Sequence, residues 1–177
     1  MEKLRVIQIG TGPTVHAAHA ATALRGLSEL YTLEAIVEED AARREEIRNT
    51  PPYAGLPFIS WEEALQRKPD AFIVETDEAK LVETAIRSLE AGYHTYMDKP
   101  GSQNSEQFHR MCNLAKEKNL VLTLGYMFRG NPAVRYALDL KNQGKLGRIF
   151  SVEGQMSVNG DPGYRRFLGK FKGGMMY

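Results

Sequence analysis

One cysteine, Cys112, is all the chain has, so no disulfide can close within it. With Phe108, Met111 and Ala115 it lies at helical spacing, which predicts a core thiol in a reducing compartment. A catalytic thiol is not expected on so apolar a helix face. No apolar run is long enough to cross a membrane. The opening "MEKLRVIQIG" has one positive cluster and a short apolar run ending in glycine; it reads as a first strand, not a secretory signal. Neither sign of charge dominates. The formal net charge is +1, so nothing points to nucleic acid. Internal repeats and low-complexity tracts are also lacking. What is left is a chain of 177 residues, enough for one full domain and part of a second, expected in the cytoplasm.

Apolar strand-like runs alternate with helical patterns. Strands are predicted at Leu4–Ile9, Tyr31–Val37, Phe58–Ile59, Ala71–Glu75, His94–Met97 and Val121–Gly125. Helices are predicted at Val15–Leu27, Asp40–Arg48, Ala79–Ala91 and Asn104–Lys118, with Asp40 as an N-cap. "SWEE", Ser60 to Glu63, is a capping-box pattern that opens a further short helix. Strict alternation implies a parallel sheet covered on both faces. The fold class is therefore α/β: a doubly wound parallel sheet over residues 1–125, followed over 126–177 by the start of an α+β domain. In that second part Pro132–Gln143 reads as a helix. Phe150, Val152, Gly154, Met156 and Val158 then alternate with polar residues, which predicts a half-buried strand. A lone strand of that kind has no sheet to join.

The stretch "IQIGTGPTVHA" sets Gly10 and Gly12 at the junction of the first strand and first helix. There Gly10 permits a tight turn, and Gly12 lets the backbone approach a pyrophosphate at the helix N-terminus. Thr11, Pro13 and Thr14 complete the loop. Val15 stands where a third glycine would complete the dinucleotide fingerprint. The alternative is a plain strand-to-helix turn. The second strand ends in "VEED", with Glu38 where an acid can take the ribose hydroxyls of NAD and repel the 2′-phosphate of NADP. Arg43 and Arg44 could instead meet that phosphate. His16 and His19 are three apart on one helix, but no third ligand has matching spacing. Packing or hydrogen bonding is expected of them, not a metal.

"HTYMDKPGS" ends the fifth strand with an acid, a lysine and a proline. Together with "IGTGPTVHAAHA", "PDAFIVET", "SLEAGYHTYMDKPGS", "LTLGYMFRGNPAVRYA" and "GKLGRIFSVEG", it resembles the glucose–fructose oxidoreductase and inositol dehydrogenase family. The likeness runs in order from about Leu4 to Tyr177. It implies an N-terminal Rossmann domain and NAD(P)-dependent oxidoreduction of sugars, alditols and related polyols. It implies that Lys99 is catalytic and also meets substrate and the nicotinamide ribose, with Asp98, Pro100 and Thr76 beside the cofactor. Arg129 would line the substrate side; a surface charge at a helix entry is the alternative. The family usually writes Glu-Lys-Pro, and here the acid is Asp98. It usually has Asn and His in the stretch that here reads "ETDEAKLVE". The Lys99–Pro100 bond is expected to be cis.

In that family, stretches like "GGMMY" lead into a helix that supplies an acid/base histidine. The chain ends at Tyr177, before such a helix, so the expectation is an N-terminal portion, homo-oligomeric when full length. Two readings stay open. One is a dehydrogenase using NAD in preference to NADP on a small polyol or sugar. The other is a catalytically silent dinucleotide-binding module. A methyltransferase shares the glycine loop and acid, but not the Asp-Lys-Pro stretch.

Overall fold

A computed structural model describes residues 2–12, 15–102 and 104–155. The chain divides into two compact units, Met1–Tyr126 and Met127–Tyr177.

The first unit is built on six strands: β1 Leu4–Ile9, β2 Tyr31–Val37, β3 Phe58–Ile59, β4 Ala71–Val74, β5 His94–Met97 and β6 Leu122–Leu124. They form one sheet in the order β3-β2-β1-β4-β5-β6, and every pairing is parallel. The order reverses between β1 and β4. At such a switch point the loops leave β1 and β4 to opposite faces and open a crevice beyond the strand ends.

The helices are α1 Val15–Gly26, α2 Ala41–Ile47, α3 Trp61–Arg67, α4 Leu81–Glu90 and α5 Ser105–Glu117. Their starts are written in the sequence. Asp40 accepts from the amides of Ala42 and Arg43. Ser60 and Glu63 make the reciprocal capping box, and Asn104 caps α5. Each such cap satisfies amides the helix leaves open and contributes about 1 kcal/mol. On one face Val6, Leu33, Ile36 and Ile73 pack with Ala21 of α1, Ile47 of α2 and Tyr53. The other face has two clusters. Ile7, Ile9, Val37 and Phe72 pack with Trp61 and Ala64 of α3. Val74 and Met97 pack with Leu81, Ala85 and Leu89 of α4 and Met111 and Ala115 of α5. Cys112 is half-buried, beside this core face instead of in its centre.

The second unit holds a short 3-10 turn, Met127–Gly130, and α6 Pro132–Asn142. Asn131 caps α6 and Pro132 opens it, as expected of a proline in the first helical turn. The strand predicted from Phe150 is absent over residues 150–155. Phe150 and Val152 are 95% and 85% exposed. The alternation alone does not make a strand: without a neighbour the backbone has no ladder to bond to. Residues 156–158 of that expected strand lie outside the described residues.

Candidate active site

Two glycines shape the loop after β1 through contact with the end of β4. Gly10 has φ of +85°, and a Cβ there would stand 2.7 Å from Thr76 Cα. Its amide donates to Val37 O at 2.7 Å. Gly12 donates to Glu75 O at 2.9 Å, and a Cβ on Gly12 would meet that oxygen at 3.0 Å. The loop is thus held between the ends of β2 and β4, and at Gly10 only glycine fits. Gly12 has a role the sequence reading did not foresee, since its amide is engaged by the β4 end.

Glu38, just past β2, has its carboxylate fixed by three donors. Thr11 donates its amide to Oε2 at 3.0 Å and its hydroxyl to the same oxygen, and the Asp40 amide donates to Oε1 at 3.1 Å. Arg43 reaches Thr11 O at 3.4 Å and pairs with Glu46 at 2.9 Å. These residues open on a cleft of about 580 Å³ that also takes in Gly10, Gly12, Thr76 and Asp77. That volume falls within the range of small-molecule and cofactor sites. Its far wall is one face of α4 and the turn before it, bearing Lys80, Glu83, Thr84 and Arg87. Arg87 stacks on Trp61 at 4.1 Å from the ring centroid and pairs with Glu39 at 3.5 Å. The residues present fit a dinucleotide. Close backbone approach is built into the loop, an oriented acceptor stands at the β2 end, and Arg43 and Lys80 supply positive charge for phosphates.

The sequence reading missed the α4 wall. Its signal was present, because positions 80, 83, 84 and 87 share one helix face. Thr76 lies on the cleft. Pro13 and Thr14 lie outside the described residues. Arg129 belongs to the 3-10 turn of the second unit.

Asp98, Lys99 and Pro100 follow β5 at the same carboxyl edge of the sheet, but they do not line this cleft. Asp98 donates its amide to Val74 O at 3.0 Å, so the segment leaves the sheet alongside β4. The Lys99–Pro100 bond is cis, and Lys99 is half-buried. His16, in the first turn of α1, places Nδ1 2.9 Å from Asp98 Oδ2. A carboxylate only accepts, so this bond puts the proton on Nδ1. His19 is exposed. Among the described residues no cluster of three or more His, Cys, Asp or Glu is arranged to hold a metal.

Beneath the loop runs a buried polar layer that the sequence reading passed over. Gln8, Tyr53 and Glu75 are 0%, 3% and 3% exposed. Gln8 Nε2 donates to Gly10 O at 2.9 Å. Gln8 Oε1 finds no partner among the described residues, and the Tyr53 hydroxyl is buried beside Gln8. Burial, and then the charge of Asp98, push the Glu75 carboxyl up to about 8. Burial, with Glu75 and Asp98, pushes Tyr96 up to about 12. Gly125 leaves room for this grouping: a Cβ there would fall 2.5 Å from the Tyr96 hydroxyl and 3.1 Å from Asp98 Oδ1. The layer was legible in part, as Gln8 and Glu75 are polar interruptions of apolar strands.

The family model for an oxidoreductase family with an NAD-binding Rossmann fold matches residues 4–126. Levoglucosan dehydrogenase of Pseudarthrobacter phenanthrenivorans is 34% identical over 88 residues, 49% of this chain and 23% of the relative. A dTDP-3,4-didehydro-2,6-dideoxy-alpha-D-glucose 3-reductase of Streptomyces violaceoruber is 25% identical over 162 residues, 89% of this chain and 46% of the relative. The chain therefore spans less than half the length of either. Among solved structures, apo scyllo-inositol dehydrogenase of Lactobacillus casei superposes with a TM-score of 0.69 at 22% identity, over 82% of this chain and 43% of the other. The WlbA dehydrogenase of Bordetella pertussis, solved with NADH and UDP-GlcNAcA, gives 0.71 at 23% identity, over 84% and 45%. At those identities the superpositions establish the fold alone. The family match, the parallel six-stranded sheet and the glycine loop at its switch point together make this chain a member of the Gfo/Idh/MocA oxidoreductase family.

Proposed function

We propose that the chain is the cofactor-binding part of an NAD(P)-dependent oxidoreductase that moves a hydride between a sugar, alditol or related polyol and a nicotinamide. The observation that carries this reading is the glycine loop at the switch point, with the oriented Glu38 on one side and the Asp98-Lys99-Pro100 segment at the end of β5. The activities of the similar proteins support the substrate class: they are dehydrogenases and a reductase of sugars and a cyclitol. A bound nicotinamide would supply the hydride acceptor or donor.

The chain's own residues divide the remaining work. Gly10, Thr11, Gly12, Pro13 and Thr14 receive the pyrophosphate, and Thr76 borders it. Glu38 accepts from the ribose hydroxyls and repels an added 2′-phosphate, so NAD is preferred to NADP. Lys99 is the catalytic residue. Its ammonium donates to the reacting hydroxyl oxygen and stabilises negative charge there as hydride leaves the adjoining carbon. Asp98 and Pro100 position it. Arg129, in the second unit, contacts substrate, and that unit begins the substrate domain. A histidine outside this stretch would take the hydroxyl proton. The complete enzyme is a cytoplasmic homo-oligomer in this reading.

Titration with NADH and a panel of polyols tests the proposal. The 177-residue chain is expected to bind NADH yet turn polyols over poorly, since a missing general base costs about a hundredfold to ten-thousandfold. Robust turnover by this polypeptide would contradict the assignment of the base, and failure to bind either dinucleotide would contradict the site.

A further inference from the structure

Glu75 is a carboxyl group in a place where charge is hard to keep. It follows β4 directly. Its amide donates to Ile9 O at 2.8 Å, and its carbonyl accepts the Gly12 amide at 2.9 Å. The backbone of this one residue therefore ties β1 and the glycine loop to β4 at the switch point. Strand alternation puts its side chain on the face of Ile73, under α1, and the register that pairs Ile73 with Tyr96 puts Asp98 beside it on the neighbouring strand. The side chain is 3% exposed, and the charge that bears on it is the carboxylate of Asp98. Gln8 Oε1, in the same layer, has no hydrogen-bond partner among the described residues. A neutral carboxylic acid brings a donor to such a layer. A carboxylate brings only acceptors, next to a second carboxylate.

The charged and titratable groups facing Glu75 come from three directions. Tyr96 comes from β5 and Asp98 from just past its end, and Lys99 follows Asp98 in the chain. His16 of α1 faces it through Asp98. Tyr53, from the segment after α2, senses Glu75 together with Glu38 and Arg43. Tyr96 holds its proton up to about 12, so it stays neutral through the range in which Glu75 titrates.

We propose that Glu75 is a positioning residue that links cofactor binding to one proton: with its carboxyl neutral, the glycine loop accepts a pyrophosphate, and with the proton lost, a buried negative charge beneath the loop opposes it. This rests on the cofactor site proposed above. The proton lost goes to solvent, and nothing else changes hands. Its consequence is directional, in that raising the pH weakens dinucleotide binding without any change at Glu38 or Lys99.

The test is the NADH affinity of the chain, by calorimetry, from about pH 6.5 to about 9.5, which brackets the value near 8 set for Glu75 by burial and Asp98. Wild-type affinity is expected to fall roughly tenfold across that range, as for a charge acting through a partly polar interior. Glu75→Gln, which keeps the shape without an ionisable proton, is expected to give a flat profile. A flat wild-type profile overturns the proposal while leaving the cofactor site standing. The same slope in wild type and Glu75→Gln also overturns it, by assigning the proton elsewhere. No NADH binding at any pH overturns both. The wild-type profile needs no variant, so a Glu75→Gln chain that fails to fold does not remove the test.

Discussion

His16 Nδ1 lies 2.9 Å from Asp98 Oδ2, joining the first turn of α1 to the residue before Lys99. The two side chains are 36% and 15% exposed, so the bond is only partly screened by water. Removing the imidazole leaves a half-buried carboxylate short of one donor. His16→Ala is expected to lower stability by about 1 kcal/mol, read as a shift of the urea midpoint. An unchanged midpoint would make the contact incidental.

Gly10→Ala should be costly for a different reason. The new Cβ would stand 2.7 Å from backbone of Thr76, at a φ of +85°. Neither side can yield without moving the β4 end. A loss on the order of 2–3 kcal/mol is expected in thermal unfolding. A loss within error would mean the loop is free to re-form.

In the proposed function, cofactor preference turns on Glu38. Its three donors fix it as an acceptor at the β2 end. Glu38→Ala is expected to weaken NADH binding about tenfold, the size of lost hydrogen bonds to a charged group, and to narrow or reverse the preference over NADPH. Tighter NADPH binding by the wild type would overturn the assignment and point to Arg43 and Arg44.

Lys99→Ala, in a longer polypeptide that turns over a polyol, is expected to lower kcat by about a hundredfold to ten-thousandfold with NADH affinity nearly unchanged. Loss confined to NADH affinity would make Lys99 a cofactor contact. No loss of either would make it a solvated lysine.

Stability should depend on pH through Glu75. Its ordinary value of 4.5 rises to about 8 in the fold, so the folded chain binds more protons than the unfolded one between those values. The associated stability is full below about 4.5, declines as pH rises, and is lost by about 8. A decline on the order of 5 kcal/mol is expected. Glu75→Gln should remove that component, and equal pH dependence in both proteins would refute the assignment.

The sheet was readable because its strands are short apolar runs separated by caps that work locally. Asp40, Ser60 and Asn104 each cap the helix their spacing announced. The positions of Gly10 and Glu38, each just past a strand end, were readable for the same reason. The strand expected from Phe150 was not, because pairing depends on a neighbour that no local pattern supplies. The layer of Gln8, Tyr53, Glu75 and Tyr96 was legible only through Gln8 and Glu75, the polar interruptions of apolar strands. Its members are far apart in sequence, and Gln8, Glu75 and Tyr96 meet only when β1, β4 and β5 align.

The central claim, a dinucleotide over the loop between β1 and α1, is most directly measured through Trp61. It is the chain's one tryptophan, and it stacks under Arg87 at the cleft wall. Indole emission overlaps reduced-nicotinamide absorption, so bound NADH quenches it. Saturable quenching by NADH is expected, abolished by Gly12→Val, whose side chain would press on Glu75 O. No saturable quenching by NADH or NADPH up to about 1 mM, which corresponds to about −4 kcal/mol of binding, would contradict the account.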